Sequence, residues 1–358
     1  MNQKSLTWIK GLVLPFLAIA LYLAYHWLGK SVLVDQFFTQ GLSKFILRGL
    51  SGISAVVSYS IAEFLAVAII ILLIVLVIKL IVNLYNGKNI LNSFFRISNT
   101  VSLLVIGFLL IWGFNYRALG VEDSIGLRPA QGTVVELEEL AADLAKQAGQ
   151  ERSLAVGEDE IFNYGGDIHQ ASRLAYHEMG KIYPEFKNPV GRAKPLLSSR
   201  IFSKMGISGI FFPYTGEANY NADQQPLLLP SVILHELAHL KGIAREEEAN
   251  FIAYLVSRYS DDPALRYSST MLALINTQNR LNQMDGEAAG RVQSLYTSGM
   301  KLDLREHIQY WSAFEGPVME TAEQVNDSYL KGNGQSRGVK SYQDMVSYLL
   351  AYYKGKPN

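Results

Sequence analysis

The chain of 358 residues contains no cysteine. That absence excludes disulfides, thiolate zinc sites and cysteine nucleophiles together, and it fits an oxidising or extracytoplasmic setting. Charge of one sign is not in excess either: 32 basic residues balance 32 acidic ones. A chain so balanced exerts no long-range pull on nucleic acid, so nucleic acid is not expected as a partner. Internal repeats and low-complexity segments are also missing. The apolar residues that are present are unevenly spread, with the first third far richer than the rest. That division predicts a membrane part at 1–117 and a soluble part at 118–358.

A bilayer-spanning helix needs about 20 apolar residues. Three stretches meet that demand, at about 11–29, 61–84 and 97–116. The lipid bilayer is therefore the first expected partner. A cleavable signal peptide does not fit the first stretch, because no small-residue cleavage site follows it and two more spans come after. Ser60 and Glu63 have the Ser-x-x-Glu spacing of a capping box, which makes Glu63 a helix cap rather than a working membrane carboxylate. Lys4 and Lys10 precede the first span, and Lys79, Lys88 and Arg96 flank the junction of the second and third. Basic flanks prefer the cytoplasm. The expectation is a multi-pass cell-membrane protein with a cytoplasmic N-terminus and an extracytoplasmic soluble domain. Lys30, Lys44 and Arg48 in the opposing loop weaken the bias.

In the soluble part, Leu137, Leu140, Ala141 and Leu144 line one face of a helix over 134–147, and a second helix is expected over 168–183. Between Asn188 and Pro230 proline, glycine, serine and aromatics dominate, and 207–214 reads as a strand. Helices then continue nearly to the end. The fold class is mainly α with a small β-sheet.

The chemical signal is His235-Glu236-Leu237-Ala238-His239. A helix stacks residues four apart, so both imidazoles can grip one ion. Glu236 sits one step round, where a carboxylate can take the proton of a metal-bound water. Pro230 and Ser231 suit the helix start and Gly242 its end. Such a zinc site needs a third protein ligand and one open position. Glu246, Glu247 and Glu248 open the next helix. Glu246 shares a stripe with Ala249, Asn250 and Ala253, whose small size allows close approach to the histidine helix, whereas Glu248 points towards Ile252 and Leu255. Glu246 is the first choice for the third ligand, and Glu248 is the reserve. Asn250 could hydrogen-bond a ligand from behind.

His235-Glu236-x-x-His239 followed by Glu246-x-x-Ala249-Asn250 resembles gluzincin-type metallopeptidases, whose Glu-x-x-Ala-Asp/Asn helix supplies the third ligand. That resemblance again points to Glu246 and implies a zincin-like fold binding Zn2+. The whole layout also resembles a bacterial family of domains of unknown function with three N-terminal spans. The residues that carry it are Pro213-Tyr214-Thr215-Gly216-Glu217-Ala218-Asn219, Glu246-Glu247-Glu248-Ala249-Asn250-Phe251, and the tail Asn326–Lys331 with Gly338–Tyr342.

The expected function is a membrane-anchored, zinc-dependent metallopeptidase acting on an extracytoplasmic peptide or protein, with His235, His239 and Glu246 on the metal and Glu236 catalytic. The alternative is a non-catalytic receptor or scaffold that keeps the fold. An intramembrane protease is excluded by Lys241, Arg245 and the three glutamates around the motif, which are too costly at a bilayer centre. Among secondary positions, the strand ending at Phe212 could hold an extended substrate. Tyr214 and Tyr220 could polarise a carbonyl, although structural roles are the more ordinary reading, and Glu217 suits a turn. His177 and His307 lie outside any ligand spacing.

Overall fold

The computed structural model describes residues 3–187 and 191–355; the start of the proline- and glycine-rich stretch at Asn188 lies outside them. The chain divides into two compact units. One comprises the residues up to Leu119 together with Phe212–Glu217, and the other Gly120–Phe211 with the chain from Ala218 on.

In the first unit, α1 (Gln3–Leu28) is followed by a π-helical stretch, Asp35–Ser43, that runs straight into α2 (Lys44–Ser54). Then come α3 (Ile61–Tyr85) and α4 (Ile90–Ile111). The portions Trp8–Leu28, Ile61–Tyr85 and Ile90–Ile111 are long and apolar enough to cross a membrane. The third starts at Ile90 rather than Ile97 and ends at Ile111 rather than Tyr116. Charge was a poor guide to its boundary: Arg96 sits within the helix, whose start is set by the turn at Gly87 and Asn89, both at positive φ. Beyond Ile111 the chain tightens into a 3-10 turn, Gly113–Arg117.

The backbone groups at the start of α3 are all answered. The Ser60 hydroxyl accepts from the Glu63 N–H. The Ile61 and Ala62 N–H groups donate to the two Glu217 carboxylate oxygens at 3.1 and 2.6 Å. A carboxylate is well suited to the positive end of a helix. Inside the unit, Thr39 donates to Asn115, Asn115 to Ser43, and Ser43 to the Ile111 carbonyl at 2.6 Å. Lipid offers no partner to such groups, so they must satisfy one another.

The second unit is mainly helical. Its α5 (Val134–Ala155) begins with a reciprocal capping box between Thr133 and Glu136, and outlasts the predicted end at Gln147 because the apolar stripe continues through Ala148. After α6 (Ile168–Ile182) comes a three-stranded sheet of β1 (Lys194–Pro195), β2 (Gly209–Phe212) and β3 (Glu217–Tyr220), in the order β1-β3-β2. β1 runs parallel to β3, and β2 is an edge. The strand is shorter than the expected 207–214, because Pro213 has no N–H to extend it. Then follow α7 (Leu229–Leu240), α8 (Glu246–Ser257), α9 (Pro263–Met284), α10 (Ser298–Ser312), α11 (Pro317–Gly332) and α12 (Met345–Lys354). α5, α7, α8 and α9 share one apolar core, in which Leu144, Ile233, Ile252 and Leu274 are fully buried. A buried pair, Arg152 with Asp303 at 2.8 Å, ties α5 to α10, and the Tyr267 hydroxyl and Phe162 N–H also donate to Asp303. This core holds α7 in place as the platform for its two histidines.

Candidate metal centre

α7 is buried on every side from Ile233 to Leu240, its polar residues included. Pro230 occupies its first turn, where a missing N–H costs nothing. One turn apart, the His235 and His239 rings lie 4.6 Å centre to centre. The helix ends at Leu240, and Gly242, at φ +91°, reverses the chain. That reversal brings the Ile243 carbonyl back under His239, 2.6 Å from Nδ1. A carbonyl can only accept, so Nδ1 of His239 carries a proton and Nε2 is the nitrogen turned towards Glu246.

His235 is fixed in the same way. Its Nδ1 is 2.8 Å from Oδ1 of Asn250, while Nδ2 of Asn250 donates to the Tyr342 carbonyl. The amide nitrogen is therefore engaged elsewhere, the oxygen must face His235, and Nε2 of His235 is left as the acceptor. α8 begins at Glu246 and carries its carboxylate to the same point. Oε2 of Glu246 is 3.2 Å from Nε2 of His235 and 3.5 Å from Nε2 of His239. The three ligand atoms lie within 4.8 Å of one another, and all three residues are buried.

Two imidazole nitrogens and a carboxylate oxygen gathered in a buried place call for a cation among them, a proton or a metal ion. Oε2 of Glu246 and Oε2 of Glu236 are both buried without a hydrogen-bond donor. These orphaned oxygens, with two nitrogen donors of defined tautomer, fit a bound metal ion. The electrostatics agree. Burial opposes charge on His239, yet the Glu246 carboxylate outweighs it and pushes the imidazolium up to about 9. Burial likewise opposes charge on Glu246, but the two imidazoles hold its carboxyl well below the usual range. Burial and its neighbour His239 push His235 down. A positive charge is thus favoured beside Glu246, carried by a proton on His239 or by a metal ion in its place.

Burial pushes the Glu236 carboxyl up to about 8, and the nearby Glu246 adds to the effect. Strand β2 passes directly over it: a Cβ on Gly209 would fall 2.4 Å from Oε1 of Glu236, so any larger residue there must displace the carboxylate or the strand. The other glutamates of the run turn elsewhere. Glu248 binds Arg245 at 2.6 Å and accepts from the Tyr348 hydroxyl, and Glu247 accepts from Gln335. The reserve ligand Glu248 is therefore occupied, and Glu246 alone of the three reaches the histidines.

Two residues at the site carried no clear sequence signal. Gly209 could have been noticed as a glycine inside a strand, which often marks close backbone approach. Tyr342, beyond the end of α11, belongs to the tail Gly338–Tyr342 that carries the family resemblance, but that resemblance gives it no role at the site. Its ring stacks 6.4 Å from His235, and burial, followed by the charge of Glu246, pushes its phenol well above the ordinary value. The tyrosines singled out from sequence are used otherwise. The Tyr214 hydroxyl donates to the Leu104 carbonyl in the membrane unit, and Tyr220 packs beside His169. Glu217 caps α3. His177 pairs with Glu178 on the surface, and burial pushes His307 down to about 4.

Residues 38–350 match the family model described as "Protein of unknown function (DUF3810)". The chain belongs to DUF3810. The DUF3810 match takes in α3, α4 and every residue of the metal centre, Tyr342 included. No curated protein and no solved structure matches the chain.

Proposed function

We propose that the chain is a membrane-anchored, zinc-dependent metallopeptidase whose soluble unit is zincin-like. The observation that carries this reading is the convergence of His235, His239 and Glu246, each buried, with the Glu236 carboxylate unpartnered beside them. Two imidazole nitrogens and one carboxylate oxygen are the donor set of a catalytic zinc with one position open. When bound, zinc would polarise a substrate carbonyl and lower the pKa of a water. Glu236 takes a proton from the attacking water and returns it to the departing amine. Tyr342 keeps its phenolic proton and is the donor best suited to the developing oxyanion. Edge strand β2 offers backbone groups to an extended peptide, close to Glu236. The basic flanks favour a cytoplasmic N-terminus and an extracytoplasmic peptide or protein substrate.

The test incubates the zinc-loaded full chain with a complex peptide mixture and identifies newly formed termini by mass spectrometry. Cleavage by the wild type that vanishes in Glu236→Gln, at equal zinc content, supports the proposal. The same products from both proteins, or none from either, contradict it.

A further inference from the structure

Between α1 and α3 the chain is helical from Val32 to Ser54, through a short turn, the π-helical stretch and α2. Its burial is the reverse of a helix in water. Thr39, Ser43, Ser51 and Ser54 are buried, whereas Phe37, Phe45, Ile53 and Val56 are 69, 79, 71 and 85% exposed. In α2 the two sets occupy opposite faces, with Ser51 and Ser54 beside Leu47 on one side and Phe45 and Ile53 on the other. Leaving a large apolar side chain in water forgoes about 1.5–3 kcal/mol of burial each. Serine-in, phenylalanine-out therefore calls for an apolar surround.

The run does not itself cross a membrane. The Ser31 N–H donates to the Arg117 carbonyl, just beyond the C-terminus of α4. Val34 clusters with Tyr25 near the end of α1 and with Leu109 and Phe114 near the end of α4. At the other end, Leu47 and Ser51 back onto Gly216, whose neighbour Glu217 caps the N-terminus of α3. If α1, α3 and α4 each cross once, those three helix ends share one membrane face. The run starts and finishes on that face. Asp35, Lys44 and Arg48 are also too costly for a bilayer centre.

We propose that Val32–Val56 is an in-plane interfacial segment, with Phe37, Phe45, Ile53 and Val56 seated in the acyl chains of one leaflet. The occupant of this face is the lipid itself, continuous with the lipid around the three spans. Lys30, Lys44 and Arg48 place basic groups at headgroup level and favour anionic phospholipid.

A chain without cysteine is ready for single-cysteine labelling. Phe45→Cys and Ile53→Cys carry nitroxides in the full chain, reconstituted in phosphatidylcholine–phosphatidylglycerol vesicles. Ile70→Cys in α3 serves as the lipid reference and Leu154→Cys in the soluble unit as the water reference. Spin relaxation by oxygen is compared with relaxation by a water-soluble nickel chelate. Positions 45 and 53 are expected to favour oxygen, as position 70 does. Water-like behaviour matching position 154 overturns the proposal, and so does shielding from both reagents, which would mean a protein partner on this face. Lys30→Cys and Ser58→Cys are both expected to react with an impermeant maleimide from the same side of the vesicle. Reaction from opposite sides makes the run a span and overturns it.

Discussion

In the membrane unit, Ser43, Ser51 and Asn115 are inside while Phe45 and Ile53 are outside; in the soluble unit, Leu144 and Ile233 are inside and the charges lie mostly at the surface. Each arrangement matches its solvent, and neither reveals a function. One buried polar cluster in each unit makes the sharper contrast. In the membrane unit, Thr39, Asn115, Ser43 and the Ile111 carbonyl form a closed chain of donors and acceptors. In the second unit, three ligand atoms converge at the His235–His239–Glu246 centre, where Oε2 of Glu246 and Oε2 of Glu236 lack a hydrogen-bond donor. A closed network serves stability, whereas ligand atoms gathered round unanswered carboxylate oxygens call for a cation.

The largest test of that contrast is at Glu236. Glu236→Gln keeps the shape of the side chain but cannot take a proton. Peptide hydrolysis is expected to fall by about 10²–10⁴-fold with zinc content unchanged, measured as initial rates beside metal analysis. Gly209→Ala acts on the same carboxylate from the strand side. The added methyl must displace Glu236 or β2, and a shift of about 1 Å can cost ~10²-fold in rate. Gly165→Ala, where a Cβ meets nothing, is the control and should leave the rate unchanged. Asn250→Ala removes the acceptor that fixes the His235 tautomer. Zinc affinity is expected to weaken by about 10–100-fold, read by competition with a chelating dye. The smallest effect belongs to the closed side of the comparison. Glu217→Ala takes a carboxylate off two N–H groups at the start of α3, a loss of about 1–2 kcal/mol. A lower unfolding temperature in detergent with unchanged zinc content is the expected result.

Much of this contrast could be read in the sequence where it depends on local periodicity. Apolar runs announced three helices long and apolar enough to cross a membrane, and the spacing of His235 and His239 announced a shared helix face. The choice of Glu246 over Glu248 followed from the small residues Ala249 and Ala253, which let α8 approach α7. What could not be read depends on distant parts of the chain meeting. Tyr342 joins the centre from far along the sequence, and Glu217 reaches back to the start of α3. Gly209 matters only because Glu236 lies behind it. The boundary of α4 was missed for a different reason: Arg96 ended the apolar run without ending the helix.

The central claim is that His235, His239 and Glu246 share one divalent ion, and metal analysis of the purified full chain tests it most directly. After zinc loading and dialysis, the wild type and Glu248→Ala should each retain about one zinc per chain, while His235→Ala and Glu246→Ala should lose it. Retention of zinc by His235→Ala and Glu246→Ala, or its loss from Glu248→Ala alone, would contradict the account.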